Sequence, residues 1–139
     1  MADSSYQRAH RLAAPVLAFT LDREAEGLIE RARSATAGRA AETLVKDGAV
    51  RLTLIAMTGG TTIDSHTAPG PITIHALRGS LRVRHGDSAT TVPAGSLIAI
   101  EAGLVHHVQA TEESAFLLTL FVNEGTKDET PAAKMAEQG

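Results

Sequence analysis

Between residues 40 and 122 the apolar positions come in short runs, many alternating with polar ones, and each run ends at turn residues. A period of two marks strands with one face inward, so the runs predict β-structure. They fall at Glu42–Lys46, Val50–Met57, Thr61–His66, Ile72–Arg78, Leu81–Arg84, Ala89–Val92, Ser96–Ile100, Val105–Ala110 and Ser114–Phe121. Turns are expected at Asp47-Gly48, Gly59-Gly60, Ala68 to Pro71, Gly79-Ser80, His85 to Asp87, Pro93 to Gly95, Ala102-Gly103 and Thr111 to Glu113. The alternation is cleanest where Leu81 and Val83 oppose Arg82 and Arg84. No helical period interrupts this region, which argues against parallel βαβ architecture and for an all-β sandwich or barrel.

Ahead of the strands the period changes. Leu21, Ala25, Leu28, Ile29 and Ala32 share one face of a helix over residues 21–34. Thr20 or Asp22 can cap it, and Glu24 and Glu26 add negative charge near its N-terminus. Gly27 interrupts it at a cost of about 1 kcal/mol relative to Ala. The simplest role for such a face is to cover one side of a sheet. Pro15 to Thr20 reads as a short strand or an extended arm. The division expected is an arm and helix over 1–38, a β-barrel over 39–122 and a flexible polar tail over 123–139.

Composition narrows the partners. The chain has 139 residues, enough for one domain with a real core, and 43% are hydrophobic. A net charge of -3 argues against nucleic acid or an anionic membrane, both of which need a concentrated basic face. Cysteine is absent, which removes disulfides and thiolate metal ligands and suits a cytoplasmic location. No apolar run reaches the ~20 residues of a membrane helix. Aromatics make up 3%, so the core is expected to consist of Val, Ile, Leu and Ala.

Two stretches bring a histidine to a strand beside a glycine turn. Gly60 is followed by five residues and His66, and Gly79 closes that stretch. Gly95 is followed by five residues, then Glu101-Ala-Gly103, two residues and His106. These spacings resemble the two motifs of the cupin superfamily, over roughly residues 40 to 121. The resemblance implies a cupin-type double-stranded β-helix, that is, an RmlC-like jelly-roll barrel preceded by the arm and helix. Within the family it is similar to the small single-domain bacterial cupins, which implies a homodimer. The departures are specific. Ala68 and Ile72 stand where the family has a second histidine and a glutamate, both metal ligands, and Glu101 and Ala110 replace its Pro and Asn.

By strand parity the candidate ligand pocket is formed by His66, Ala68, Ile72, Ile74, His106 and Val108, with the two imidazoles facing each other across a barrel lined mostly with hydrocarbon. Two imidazoles alone hold a divalent ion weakly, because a catalytic site ordinarily takes three protein ligands. Asp64 shares parity with His66 and is the candidate third ligand. No cofactor is required by the sequence; a weakly held divalent transition metal (iron, manganese, nickel or zinc) is compatible with it. His107 and His75 have outward parity, and His10 and His85 receive no role. Arg82 and Arg84 form a basic stripe that could attract an anionic ligand but reads more simply as a solvated strand face, and the Glu112-Glu113 pair reads as a solvated turn.

Three functions remain open. One is a cupin that binds a small molecule, using the histidines as hydrogen-bonding or acid-base groups. Another is a metal-dependent dioxygenase- or isomerase-like enzyme using His66 and His106. The third is a dimeric structural or regulatory module without catalysis.

Overall fold

The computed structural model describes residue 12 and residues 14–122, with position 66 described by its backbone. One helix, α1 (Leu21–Ser34), precedes nine strands. These are β1 (Arg39–Asp47), β2 (Val50–Met57), β3 (Thr62–His66), β4 (Ile72–Arg78), β5 (Ser80–His85), β6 (Ser88–Pro93), β7 (Leu97–Ile100), β8 (His106–Ala110) and β9 (Ser114–Phe121). They form a five-stranded sheet ordered β1-β2-β9-β4-β7 and a four-stranded sheet ordered β3-β8-β5-β6. Every strand pair is antiparallel. The all-β fold read from the hydrophobic period is therefore the one observed, with the single helix added.

The larger sheet is buried on both faces where α1 covers it. Along β2, Ile55 and Met57 join the core between the sheets, while Leu54 and Ala56 turn to the opposite face and meet the helix. Ala25, Leu28, Ile29 and Ala32 of α1 complete that second cluster, as the helical period predicts. Burial on both faces explains why β2 reads as an almost unbroken apolar run. The smaller sheet is one-sided: Leu81 and Val83 are fully buried, whereas Arg82 and Arg84 are exposed.

Two ion pairs fasten the helix. The Arg33 guanidinium donates through Nε and Nη2 to both carboxylate oxygens of Glu113, each at 2.7 Å. Arg78 Nη2 donates to Asp22 Oδ1 at 2.8 Å. Glu113 is thus not simply solvated, as its turn had suggested. Its hydrogen bond from Arg33 holds the carboxyl below its usual pKa. Both pairs are exposed, and their contribution to stability is small.

Of the two readings of Pro15 to Thr20 the strand does not form; the segment is an arm that leads straight into α1, with Val16 80% exposed. Two local expectations differ from the structure. β1 begins at Arg39 rather than Glu42, because Arg39, Ala40 and Ala41 pair with Met57, Ala56 and Ile55, and cross-strand pairing outweighs the weak β-propensity of alanine. Thr20 occupies the N-cap with no side-chain capping bond; its carbonyl accepts from the amides of Arg23 and Glu24 at 3.1 and 3.0 Å. His10 and the tail from Asn123 lie outside the described residues.

Gly27 sits on the exposed face of α1, and a Cβ there meets nothing within 4 Å. Gly27→Ala is expected to stabilise the protein by about 0.5–1 kcal/mol, through the smaller backbone entropy lost on folding. A urea midpoint that does not rise contradicts this.

Candidate functional site

The two histidine-bearing stretches meet at one end of the smaller sheet. β3 lies beside β8, and their register sets position 66 directly opposite His106. The two are therefore neighbours on adjacent strands of one sheet. Their strands pair directly and do not lie on opposite walls of the barrel. The loop before β4 is tied to the turn before β8 by the Gly103 amide, which donates to the Ala68 carbonyl at 3.1 Å.

β5 flanks β8 on its other side, and His85 stands opposite His106. Positions 66, 106 and 85 thus form one row across three strands. His85 was assigned no role from sequence. Its Nε2 lies 2.8 Å from the hydroxyl of Thr90.

His106 is 1% exposed, and its Nδ1 is 3.1 Å from the Leu104 carbonyl. A carbonyl only accepts, so Nδ1 carries the proton and, in the neutral ring, Nε2 carries the lone pair. This is the tautomer suited to accepting a hydrogen bond from a ligand or to coordinating an ion.

The apolar residues of the expected pocket are packed instead of open. Ala68, Ile72, Ile74 and Val108 are buried members of the core between the sheets. A pocket that opens to solvent, with a volume of about 360 Å³, is lined among the described residues by Ser65, Arg84, Gly86, Val105, His106 and His107. Of the expected positions whose side chains are described, His106 contributes to it, and Ala68, Ile72, Ile74 and Val108 do not. Arg84 and His107 were read as surface residues, and both do point away from the core; the pocket forms because strand pairing sets them opposite one another. No local signal relates residues so far apart in sequence.

Asp64 departs from its expected place for a definite reason. Ile63 pairs with Val108 and position 66 with His106, so β3 spends three residues where β8 spends two. The extra residue is a β-bulge, which breaks the alternation of faces. Asp64 falls in the bulge and is exposed. Parity with His66 accordingly does not bring its carboxylate inward.

The donor set does not fit the four-ligand metal centre of the motif. Ala68 and Ile72 have no donor atoms, and both are buried in the core between the sheets. Among the described residues no group of three or more His, Cys, Asp or Glu side chains can hold a metal ion.

The fold has many relatives among solved structures. A conserved protein of unknown function from Streptococcus pyogenes aligns with a TM-score of 0.61 at 24% identity, covering 66% of this chain and 80% of the other. A cupin superfamily protein from Desulfitobacterium hafniense aligns at 0.60 and 13% identity, covering 61% and 78%. A salicylate 1,2-dioxygenase variant from Pseudoaminobacter salicylatoxidans aligns at 0.62 and 14% identity; it covers 73% of this chain, but this chain spans only 32% of the enzyme. At these identities the likeness is one of fold. No curated protein matches the chain. The family model described as "Cupin domain" matches residues 44–123, more than half of the sequence, and it matches a chain whose two glycine-histidine stretches meet on β3 and β8; the protein belongs to the cupin family.

Proposed function

We propose that this protein is a small-molecule-binding cupin whose ligand engages His106 at the end of the smaller sheet. The observation that carries the reading is the setting of His106. Its ring is buried and held in one tautomer by the Leu104 carbonyl, and the residue is among those that line a pocket open to solvent. An oriented imidazole suits an oxygen-bearing ligand, either as hydrogen-bond acceptor or as a proton-transfer group near neutral pH. The apolar interior is filled by side chains and serves stability. On this reading the site lies at the strand ends, with position 66 opposite His106 in the register as the second histidine. Homodimerisation and a cytoplasmic location belong to this reading through the family and the cysteine-free composition. A sedimentation mass of one chain removes the dimer.

The test is native mass spectrometry of untagged protein purified without chelator, joined to metal analysis. A bound organic molecule is expected, retained at least about tenfold less well by His106→Gln, which is the loss from one hydrogen bond to an oriented partner. A second reading, a metal-dependent cupin enzyme, is favoured by the direct pairing of positions 66 and 106. It replaces the first if one equivalent of iron, manganese, nickel or zinc copurifies and is lost in both His66→Ala and His106→Ala. Protein with neither organic molecule nor metal, its thermal stability unmoved by added metal, leaves the non-catalytic module.

A further inference from the structure

The basic stripe on β5 has a partner that the sequence did not reveal. Arg84 stands directly opposite His107 on β8, on the face of the smaller sheet turned away from the core. Both line the pocket, together with Ser65 from the β3 bulge. Among the described residues none that lines it is acidic. No carboxylate among the described residues lies within ion-pair distance of the Arg84 guanidinium. His107 Nδ1 is buried yet makes no hydrogen bond among the described residues. A buried ring nitrogen without a partner is uncommon, because forfeiting its hydrogen bond to water costs about 1–3 kcal/mol.

We propose that this pocket is an anion site, taking the carboxylate or phosphate group of a small molecule. A guanidinium offers parallel N–H donors whose geometry matches either group. The Ser65 hydroxyl and the His107 ring add two further hydrogen-bonding positions on the same rim. The volume of about 360 Å³ fits a small metabolite better than a polymer. Asp64 and Asp87 adjoin the site in sequence but do not line it. The β3 bulge contributes by turning Ser65 to the rim. This inference rests on the small-molecule reading and names the charged end of that ligand; His106, on the same pocket wall, is the group that would meet its uncharged portion.

The experiment is a titration of the ¹⁵N-labelled full chain at low ionic strength with inorganic phosphate and, separately, with acetate. Saturable shifts confined to residues 65, 84–86 and 105–107 are expected. Phosphate binding the tighter assigns a phosphoryl group, and acetate equal or tighter assigns a carboxylate. Arg84→Gln is expected to weaken binding about tenfold, the loss of one charge-assisted pair, and His107→Phe by a smaller factor. Arg84 is exposed, so its variant should keep the wild-type melting temperature. Three results overturn the proposal: no saturable shift, shifts reproduced by sodium chloride at equal concentration, or an Arg84→Gln titration equal to wild type. An organic ligand recovered from the protein while phosphate and acetate stay silent removes the anion site alone. Arg84-dependent phosphate binding with no organic ligand recovered counts against the small-molecule reading alone.

Discussion

Gly79→Ala should lower the melting temperature by roughly 10–20 °C, the drop expected in a domain of this size for a loss of about 2–5 kcal/mol. Gly79 closes the first motif, at the tight turn between β4 and β5, with φ of 73°. An L-residue in that left-handed region costs about 1–2 kcal/mol. A methyl group there also runs into the Glu113 carbonyl and the Ser114 hydroxyl, and lies 2.9 Å from the Ser114 Cα. Those atoms cannot simply yield. The Ser114 hydroxyl accepts from the Ser80 amide at 3.0 Å and reaches the Glu112 carbonyl at 2.6 Å, so it holds the β4–β5 turn against the start of β9. Relieving the overlap therefore displaces backbone, at about 1–3 kcal/mol more. Gly95→Ala is the control. Gly95 has φ of 90° but nothing within 4 Å of an added Cβ, so only the backbone strain applies. Equal losses in the two variants would falsify the steric account.

Phe116→Ala is expected to cost about 3–5 kcal/mol, the range for deleting a fully buried phenyl ring. Phe116 heads the largest side chains with no exposure and sits on β9 between Ile55 of β2 and Ala76 of β4. The neighbouring alanine matters, because a small partner on one side is what makes room for the ring. The strands around it are fixed in both sheets and can collapse only partly into the void. Phe116→Leu keeps most of the volume and should lose less than about 1.5 kcal/mol. Urea denaturation midpoints measure both. A loss below 1 kcal/mol for the alanine variant shows that the ring is not central to the core.

The contrast between strands and site shows what sequence reading reaches. A period of two is local, so β2, β4 and β9 could be bounded to the residue, and the turn glycines marked nearly every reversal. The helix face of Ala25, Leu28, Ile29 and Ala32 was equally visible, since one helix supplies all four positions. The core composition was read with two exceptions: Phe116, a member of a rare class, and Met57 are both fully buried in it. At the site, parity failed where the chain stopped being regular. The bulge in β3 breaks the parity between Asp64 and position 66, and a bulge leaves no mark in a run as short as Thr62 to Ser65. Counting faces also treated Ile72 and Val108 as the wall of an open cavity, although the same inward parity serves equally for close packing.

The amino-acid sequence by itself determined the class of fold, the place of its one helix, and the absence of donor atoms at positions 68 and 72. Each of these follows from residue type or from spacing along a single element. Only the tertiary structure decided that positions 66, 106 and 85 stand in one row, and that Arg84 and His107 share the rim of a pocket. The physical reason is register. Hydrogen bonding between strands sets which residues stand side by side, and a shift of one residue in β3 reverses every face beyond it.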